Sequence, residues 1–358
     1  MNTKKRTFLI LTPGFAANES DTTCLPFLQT FLKGVKGNYP ELHIIVLAFQ
    51  YPYRRDLDLW NGIEVFSFNG RNRRKLFKLL LWKRILNKLE KLNHETNIVG
   101  LLSIWCHECA FIGKKFSNKH RLKHYCWIWG QDAKKENKFV KRIRPKGDEI
   151  VALSDFLQSE FEKNFSIKPT HVILPAIDEN WFDETNFKKD IDIIGVGSLI
   201  PLKRYDIFLK VTADLKQMFP ELKVVLCGKG PEEKELKNLS EKLHLTGVLH
   251  FTGELPYPEV LQYMQRSKIL LHTSSYEGFS GVCQEALFAG AHVVSFCRAM
   301  NKPIDHWHIV NDMDGMKAKA TELLLSSQES FNSIEINCIS ETVASIMKLF
   351  DYKEAITS

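Results

Sequence analysis

Two glutamates separated by seven residues stand in the segment with the clearest capacity for chemistry, residues 272–290. Glu277 lies in a loop that follows a predicted strand, and Glu285 lies in the first turn of the helix predicted next. Backbone N–H groups at such a turn can hold phosphate oxygens, and carboxylates accept hydrogen bonds from sugar hydroxyls. A helix dipole also favours a glutamate in a first turn, so a structural role for Glu285 stays open. The segment favours a site that binds phosphate and sugar hydroxyls together.

Two further glycine turns resemble phosphate and nucleotide loops. Gly197 follows a predicted strand, and Lys203 and Arg204 place positive charge where the next helix begins, a position that favours anions. Gly228 and Gly230 follow the next strand and permit close backbone approach, which suits a nucleotide base or ribose. Each turn alone is also common in α/β folds without a ligand, so the prediction depends on the three segments together.

Short apolar runs alternate with helical patterns along the chain, which is typical of parallel sheets covered on both faces. Strands are predicted over residues 7–12, 43–49, 63–67, 98–105, 125–129, 149–153 and 171–174, and then over 191–196, 223–227, 248–251, 269–272 and 292–296. Helices are predicted over residues 71–92, 155–164 (with Ser154 as N-cap), 205–218, 231–243, 258–267, 282–289, 317–325 and 340–350. In the longest helix, a helical spacing relates the apolar residues Leu79, Trp82, Leu86 and Leu89.

The length of 358 residues predicts two domains, because a typical domain has about 100–200 residues. A polar, irregular stretch over residues 178–190 separates the two series of strands. We therefore expect an N-terminal Rossmann-like domain over residues 1–180, a second one over 190–340, and a C-terminal helix within 341–358 that could pack back on the first. Ligands bind beyond the carboxyl ends of strands in such sheets, so a cleft between the two facing domains is the expected active site.

The three segments, in this order, resemble the C-terminal half of the retaining GT-B glycosyltransferases of the group 1 type (glycosyltransferase family 4). Glu277 and Glu285 match the Glu-x7-Glu motif of that family. The resemblance covers residues 191–295 well and the N-terminal half more loosely. There, the segment 13–15 (Pro-Gly-Phe) matches the first glycine loop, 130–132 (Gly-Gln-Asp) a His-Gly-x-Asp segment, and 174–178 the marker that closes the first domain.

The resemblance implies roles for individual residues. Lys203 would neutralise the donor diphosphate, Glu285 would hold the ribose hydroxyls, and Glu277 would contact the donor sugar together with the backbone of residues 278–280. Gly14 and Phe15 would approach the diphosphate from the opposite domain. The expected catalytic residues are Glu277, Lys203 and His107, and the expected donor-binding residues are Gly14, Phe15, Gly197, Arg204, Gly228, Gly230, Gly278, Phe279, Ser280, Gly281, Val282 and Glu285.

Two positions depart from the family pattern. Ser198 stands where the family has an arginine, five positions before the lysine, and Arg204 is the candidate to replace that charge. Trp129 stands where many relatives have a histidine that reaches the donor sugar. His107 or His124 could substitute for it, although each is more often an ordinary packed or surface histidine. We keep His107 as the candidate.

The resemblance implies a donor linked to UDP or GDP, with no cofactor and no metal, because lysine, arginine and helix N-termini stabilise the leaving diphosphate. The expected reaction is transfer with retention to a glycan or lipid-linked acceptor in cell-surface polysaccharide biosynthesis. A nucleotide-sugar epimerase of similar fold and a non-catalytic glycosyltransferase-like binding subunit are the alternatives.

Other site types compete less well for the same residues. Cys106 and Cys109, with His124 and Cys126, have the spacing of zinc ligands but fall on or beside predicted buried strands, so packed free thiols are favoured. Glu277 and Glu285 would suit a glycosidase only if they faced each other across a glycosidic bond. Asp-x-Asp pairs, which some metal-dependent transferases use, recur by chance and are discounted; they lie at residues 56/58, 190/192 and 312/314.

Positive charge is concentrated in the predicted helix over residues 71–91, where Glu90 is the single acid. Such a helix suits an anionic membrane surface, and a solvated outer face is equally consistent with the pattern. Nucleic-acid binding is not expected, because no aromatic-interleaved basic platform accompanies the charge. The basic residues are Arg71, Arg73, Arg74, Lys75, Lys78, Lys83, Arg84, Lys88 and Lys91.

Composition is that of an ordinary globular protein, with 44% hydrophobic and 25% charged residues and a net charge of +7. No apolar run approaches the roughly 18 residues that span a bilayer, nor does the start resemble a signal peptide. Eight scattered cysteines suggest reduced thiols. We therefore expect a cytoplasmic protein, with peripheral attachment to the inner face of the cell membrane as a further option.

Overall fold

The structure is a computed structural model that describes residues 4–73, 76–182, 187–326 and 331–352. The chain divides into two compact units. Unit 1 comprises Met1–Ala176 together with Asn337–Ser358, and unit 2 comprises Ile177–Ile336. Arg74 and Lys75 of the predicted basic helix, and residues 353–358 of the predicted C-terminal segment, lie outside the described residues.

Unit 1 is built on a mostly parallel sheet. Its strands are β1 (Arg6–Gly14), β2 (His43–Tyr51), β3 (Leu57–Trp60), β4 (Ile63–Ser67), β5 (Asn97–Ile104), β6 (His124–Ile128), β7 (Ile150–Ala152) and β8 (His171–Val172). In the described part of the chain, the sheet runs in the order β3-β4-β2-β1-β5-β6-β7-β8. β3 and β4 pair antiparallel, whereas the other neighbours pair parallel.

The helices of unit 1 connect its parallel strands and cover the sheet. They are α1 (Pro26–Asn38), α2 (Leu76–Glu95), α3 (Glu108–His120), α4 (Lys138–Ile143) and α5 (Asp155–Phe165). Ser154 caps α5 as predicted, since its side chain accepts a hydrogen bond from the Leu157 N–H at 3.2 Å. On the α2 face, the core joins strand residues such as Leu9 and Ile45 to the buried apolar residues of the helix, which are Leu81, Ile85, Leu89 and Leu92.

Unit 2 is a second Rossmann-like unit with a fully parallel sheet in its described part. Its strands are β9 (Ile191–Val196), β10 (Val224–Cys227), β11 (Leu249–Gly253), β12 (Ser267–His272), β13 (His292–Ser295) and β14 (Trp307–Ile309). Among the described residues, they are arranged in the order β11-β10-β9-β12-β13-β14. The order changes direction at β9, so β9 and β12 flank the point where such sheets bind ligands.

The helices of unit 2 follow its strands, with a 3₁₀ turn at Pro201–Lys203 between β9 and the first of them. They are α6 (Tyr205–Met218), α7 (Glu233–Lys242), α8 (Tyr257–Gln265), α9 (Gly281–Phe288) and α10 (Met313–Leu325). α6 presents Phe208 and Leu215 to the same core as Leu226 of β10 and Leu271 of β12. This packing fixes the strand ends from which the glycine loops start.

The C-terminal segment returns to unit 1, where it forms α11 (Ile339–Leu349). A side chain at Gly34 of α1 would come 2.6 Å from Ile339, so glycine is what lets α1 and α11 approach. Phe350 packs edge-on against Phe8 with ring centroids 4.9 Å apart. The Thr342 hydroxyl donates to the Leu174 carbonyl at 3.0 Å, which ties α11 to the last segment of unit 1 before unit 2.

The structure departs from the sequence predictions mainly at edges. β3 and β14 were not predicted, because both are short edge strands. α2 begins at Leu76 rather than at residue 71. Its apolar stripe also differs: Leu79 is exposed, Trp82 and Leu86 are half-buried, and the buried positions are those given above. The stripe differs because the core contacts of the helix start only at Leu81.

Among the described residues, no helix has the combination of length and apolarity that crossing a bilayer requires.

Candidate functional site

Two glycine turns of unit 2 pack backbone against backbone. Gly197 and Gly228 both have φ of +144°, a conformation that side chains rarely adopt. A Cβ at Gly228 would lie 2.9 Å from the carbonyl carbon of Gly197, and one at Gly230 would lie 2.7 Å from the Leu199 nitrogen. The Leu199 N–H donates to the Lys229 carbonyl at 3.0 Å. The close approach at Gly228 and Gly230 is thus made by the protein's own neighbouring turn.

Lys203 and Glu277 meet where β9 and β12 end. The Lys203 ammonium donates to Oε1 of Glu277, and both side chains are mostly buried. The Thr273 hydroxyl donates to the Lys203 carbonyl at 2.7 Å, and the Ser275 N–H donates to the Leu202 carbonyl at 3.0 Å. The loop after β12 is therefore fastened to the loop after β9, which positions the ion pair.

His272, the last residue of β12, is the second partner of Glu277. Its Nε2 lies 3.5 Å from Oε1 of Glu277 and 3.2 Å from the Ser280 hydroxyl. Its Nδ1 lies 2.9 Å from the Ser295 hydroxyl. Burial lowers the pKa of His272, although Glu277 acts in the opposite direction. A neutral imidazole therefore links the glutamate to the ends of β12 and β13.

The Glu277 carboxyl is ionised in this environment. Burial alone would raise its pKa, but the hydrogen bond with His272 and the charge of Lys203 outweigh burial and hold the pKa at about 2. The carboxylate therefore remains a hydrogen-bond acceptor over the whole physiological pH range. Its weak basicity argues against a role as proton acceptor.

Glu285 has a different environment. The sequence predicted it in the first turn of its helix, but α9 begins at Gly281 and has no acidic residue in that turn, so Glu285 lies beyond it. Its Oε1 accepts a hydrogen bond from the Tyr257 hydroxyl at 2.9 Å. Burial raises the pKa of Glu285 to about 7, and the bond from Tyr257 moderates this shift. Tyr257 in turn packs edge-on near Trp181, with centroids 5.9 Å apart. Both glutamates of the motif are therefore largely buried, but the pKa of Glu277 is lowered whereas that of Glu285 is raised.

The glycine loop between the two glutamates presents backbone rather than side chains. Phe279 is buried and packs edge-on against Trp307 at 5.9 Å, so its ring belongs to the core. Ser280 is the N-cap of α9, accepting from the Cys283 N–H at 3.4 Å. Gly281 is exposed and Val282 half-buried in the first turn, where N–H groups have no intrahelical acceptor. Gly278 is buried.

Arg204 occupies the N-cap position of α6 in a left-handed conformation, φ 51°. Its side chain is exposed, as is that of Ser198. The structure thus leaves the guanidinium at the surface of unit 2, one residue from the Lys203–Glu277 pair.

Gly14 and Phe15 of unit 1 stand at the end of β1. The Phe15 ring is fully buried against Trp60, with centroids 5.0 Å apart, so only its backbone could reach a ligand. The Phe15 N–H donates to the Tyr51 carbonyl at 3.2 Å. Gly14 lines a cavity of about 440 Å³ at the carboxyl ends of β1, β2 and β5.

His107 lines the same cavity as Gly14. It is the N-cap residue of α3, and its ring stacks on Phe139 with an interplanar angle of 16°. Removal from water lowers the pKa of His107, although Asp132 acts against this. Asp132 fixes the backbone beside it by accepting from the Cys106 N–H at 2.9 Å.

Glu108 is the charged centre of the cavity wall. It accepts hydrogen bonds from the Gln50 amide at 2.7 Å and from the Trp82 indole, and Lys78 lies 3.6 Å away. Asn72, whose N–H donates to Gln50 at 2.8 Å, also lines the cavity. The cavity therefore offers amide, carboxylate, ammonium and imidazole groups together.

The residues weighed as zinc ligands are packed inside unit 1. Cys106, Cys109 and Cys126 are free and buried, and burial raises the pKa of Cys109 and Cys126 well above the usual value. His124 shares a hydrogen bond of 2.8 Å with Ser103. No grouping of three potential ligands suited to a metal occurs among the described residues.

Sequence reasoning brought together Lys203, Glu277 and the glycine loops, and it missed three partners. Tyr257 and Glu108 hold or face the site residues through contacts between elements far apart in sequence. His272 lies only five residues before Glu277, at the end of the strand that leads to it. His272 could have been flagged as a polar residue at a strand end, because ligands bind there in parallel sheets. Nothing in the sequence around Tyr257 or Glu108 marks either one.

Comparison with known proteins places these features in a family context. Residues 177–304 match the family model of the glycosyl transferases group 1. The matched stretch contains both glycine turns, the Lys203–Glu277 pair and Glu285.

Two curated relatives illustrate the likeness in sequence. The phosphatidylinositol N-acetylglucosaminyltransferase gpi3 subunit of Schizosaccharomyces pombe is 25% identical over 203 residues, which are 55% of this chain and 44% of that protein. An uncharacterized glycosyltransferase of Haemophilus influenzae is 28% identical over 151 residues, which are 42% of each chain. The chain thus spans less than half the length of these relatives.

A solved structure extends the likeness to nearly the whole chain. The crystal structure of Anabaena Alr3699/HepE in complex with UDP and glucose matches with a TM-score of 0.66 at 17% identity, covering 96% of this chain and 95% of that one. At this identity the match concerns the fold. The predicted α/β fold class, with two Rossmann-like domains as in GT-B glycosyltransferases, is therefore confirmed.

Proposed function

We propose that the protein is a retaining glycosyltransferase that moves a sugar from a UDP- or GDP-linked donor to a glycan or lipid-linked acceptor in cell-surface polysaccharide biosynthesis. The observation that carries the proposal is the Lys203–Glu277 ion pair, held at the ends of β9 and β12 inside the stretch that matches the group 1 family. Relatives named as N-acetylglucosaminyltransferases and a structural neighbour that holds UDP and glucose support it.

The donor diphosphate would bind beside Lys203. The Lys203 side chain is 19% exposed, so its ammonium is enclosed by the loops without being sealed off. The N–H groups of the first turn of α9, at Gly281 and Val282, supply a second set of donors. Together with Arg204, these groups can stabilise charge on a leaving diphosphate, so the proposed mechanism requires no metal ion or other cofactor.

The two glutamates would bind different hydroxyls of the donor. Glu277 is ionised at physiological pH and suits the hydroxyls of the transferred sugar. Glu285, with its pKa raised to about 7, would accept from the ribose hydroxyls once it loses its proton. The donor-binding roles of Gly197, Gly228, Gly230, Gly278, Phe279 and Ser280 are proposed for their backbone only.

In this proposal the anomeric configuration is retained because the acceptor hydroxyl attacks the anomeric carbon from the same face that the diphosphate leaves. The bond between the anomeric carbon and the diphosphate oxygen breaks, the acceptor hydroxyl forms the new bond, and its proton passes to the leaving phosphate oxygen. Glu277 does not take that proton, because a carboxylate with a pKa of about 2 is a poor base.

The acceptor would bind in unit 1, in the cavity lined by Gly14, His107 and Glu108. Its carboxylate and amide groups are suited to the hydroxyls of a glycan. Of the unit 1 residues, His107 is proposed to contact the reacting sugar, and the backbone of Gly14 and Phe15 is proposed to contact phosphate oxygens.

Nucleotide-dependent thermal stabilisation tests the proposal. UDP, GDP, ADP and their sugar conjugates are each added to the wild type, to Glu285→Ala, and to Glu241→Ala, which changes an exposed glutamate of the same unit. A ligand at a hundred times its Kd stabilises the fold by about 2.7 kcal/mol, a shift that melting curves resolve. We expect one nucleotide family to raise the Tm of the wild type and of Glu241→Ala but not of Glu285→Ala.

Two results would contradict the proposal. If no nucleotide raises the Tm of the wild type, unit 2 does not bind a nucleotide donor by itself, and the non-catalytic binding subunit becomes the favoured alternative. If a sugar nucleotide is converted in the absence of acceptor into its epimer, the protein is an epimerase. Product analysis by NMR, with acceptor present, then establishes the anomeric configuration.

A further inference from the structure

Exposed apolar side chains are concentrated in one short region of unit 1. Among the described residues, nine large hydrophobic side chains are exposed, and seven of them lie between residues 53 and 80. Leu76, the first residue of α2, is the most exposed of all at 73%. We call the seven the apolar patch: Tyr53, Leu57, Leu59, Leu76, Phe77, Leu79 and Leu80. The other two, Met218 and Leu325, lie in unit 2.

The strand part of the patch lies on the face of the sheet that α2 covers. Leu57 pairs with Phe66 across the β3–β4 ladder, and Leu59 pairs with Glu64. Residues opposite each other in an antiparallel pair point to the same face, as do alternate residues of a strand. Because Phe66 packs on the α2 core, Leu57 and Leu59 point to the α2 side of the edge strand.

The helix part of the patch is the first turn of α2. The four residues there point away from the core, since the buried stripe of the helix starts only at Leu81. The Arg71 guanidinium lies 5.2 Å from the centre of the Tyr53 ring, which joins the loop after β2 to the segment that leads into α2. Clusters of exposed apolar side chains of this kind mark interaction surfaces.

Positive charge flanks the helix part of the apolar patch, whereas the strand part carries Asp56 and Asp58, which lie 3.8 and 2.8 Å from Arg54. Arg73 stacks over Phe77 at 5.6 Å, and Lys83 and Arg84 are exposed on the next turn of the helix. The one acidic residue in the sequence between positions 71 and 91 is Glu90, which is paired with Lys119 and His120. An apolar surface with a cationic rim is complementary to an anionic lipid surface, where acyl chains lie beneath negative headgroups.

We propose that the apolar patch and its basic rim dock unit 1 on an anionic lipid bilayer, with the first turn of α2 inserted among the headgroups. The sequence alone suggested the whole basic helix over residues 71–91 as the contact, with a solvated outer face as the alternative. The structure instead assigns the contact to its apolar first turn, where basic residues only flank the inserted side chains.

Lys78 connects this surface to the cavity of unit 1. It belongs to the same helical turn, yet its ammonium lies 3.6 Å from Glu108 in the cavity wall. Docking at the patch would therefore bring the cavity close to the bilayer surface. If the proposed transferase function holds, an acceptor anchored in the bilayer could reach that cavity, but the docking itself does not depend on the function.

Vesicle flotation of the full chain tests the proposal. Vesicles of phosphatidylcholine alone are compared with vesicles in which about a third of the lipid is phosphatidylglycerol, and bound protein is measured as a function of lipid concentration. The test variant carries Leu76→Ser, Phe77→Ser, Leu79→Ser and Leu80→Ser. The control carries Met218→Ser and Leu325→Ser, which remove similarly exposed apolar side chains from unit 2. A charge variant, Lys83→Glu with Arg84→Glu, probes the rim.

We expect the wild type and the control to bind the anionic vesicles, and the test variant to bind at least about tenfold more weakly with an unchanged Tm. The charge variant should lose its preference for anionic over neutral vesicles. The proposal is overturned if the test variant binds as the wild type does, or if the wild type floats with neither vesicle. It is also overturned if the wild type is a dimer by light scattering and the test variant a monomer, since a second copy then covers the patch.

Discussion

Tyr257 donates its hydroxyl hydrogen to Oε1 of Glu285 at 2.9 Å, so that α8 holds the carboxyl group that α9 presents. Burial raises the pKa of Glu285 to about 7, and this hydrogen bond is the interaction that acts against burial. Tyr257 therefore controls how much of the carboxyl is ionised near neutral pH. In the proposed function, that ionised fraction accepts the ribose hydroxyls.

Replacing Tyr257 by Phe is expected to weaken binding of the nucleoside diphosphate at pH 7. The pKa of Glu285 rises further without the hydrogen bond, so a smaller fraction of the carboxyl can accept from ribose. The loss should be about fivefold, the value of one hydrogen bond near 1 kcal/mol. Calorimetric titration at pH 6.5, 7.5 and 8.5 checks it, and the loss should shrink as the pH rises.

Tyr263→Phe is the matched control, because Tyr263 lies on the same helix and contacts Arg266 instead. It should bind nucleotide as the wild type does at each pH. If Tyr257→Phe and the wild type bind the nucleotide with equal affinity at pH 6.5, Glu285 does not contribute to donor binding.

Replacing Lys203 by Met is expected to lower kcat/KM by about 10²–10³, since it removes the cation proposed to meet the diphosphate. The variant should also melt earlier, because Glu277 loses the positive charge that offsets its burial. Lys210→Met, which changes an exposed lysine of α6, serves as the control and should leave both values unchanged. Steady-state kinetics and melting curves measure the two effects separately.

The double variant Lys203→Met with Glu277→Gln distinguishes a structural from a functional ion pair. It removes both charges, so much of the lost Tm should return. Activity should remain as low as in Lys203→Met. Recovery of activity together with stability would mean that the pair serves only the fold.

Gly228→Ala is expected to destabilise unit 2, because the new Cβ would overlap the backbone of Gly197. Gly247→Ala is the control: Gly247 also has positive φ, +83°, but a Cβ there would have no neighbour within 4 Å. Both variants carry conformational strain, and only Gly228→Ala adds overpacking of about 1–3 kcal/mol. Urea unfolding measures the difference, and equal losses would contradict the packing described for the two turns.

Much of the fold could be predicted from the sequence because buried parallel strands read as apolar runs. Strands β4 and β9 and helix α6 match their predicted bounds. The edge strands β3 and β14 were missed, since a short strand with one neighbour has little apolar pattern. A signal for β3 was nevertheless present: Asn61 and Gly62, both with positive φ, form the turn that joins it to β4.

The site could be predicted only in part. Loops at strand ends identified Lys203 and Glu277, because the chemistry of a phosphate site depends on local sequence. The partner Tyr257 comes from tertiary packing, since 28 residues separate it from Glu285 and spacing along the chain does not encode that contact. His272 is local to Glu277, but its residue type alone does not distinguish it from an ordinary buried histidine. Phe15 and Phe279 were predicted as donor-binding residues from the family motifs, but their side chains are buried in the core.

His124 is a buried histidine in unit 1 that makes stability depend on pH. Burial, with a smaller contribution from the charge of Lys114, lowers its pKa to about 3 from the usual 6.5. Its Nε2 bonds to Ser103 at 2.8 Å, and a side chain at Gly113 would come 2.5 Å from the same atom. The imidazole is thus enclosed in a space that Gly113 leaves open.

As the pH falls below 6.5, His124 becomes protonated in the unfolded chain, whereas in the folded chain it stays neutral until about pH 3. The free energy of unfolding should therefore fall by about 1.4 kcal/mol per pH unit on account of this residue. Urea unfolding at pH 7, 6, 5.5 and 5 checks it. In His124→Asn, the free energy of unfolding should fall less steeply with decreasing pH, by about 1.4 kcal/mol per pH unit. His94→Asn, at an exposed site on α2, should keep the wild-type slope. Identical slopes for His124→Asn and the wild type would mean that folding does not lower the pKa of His124.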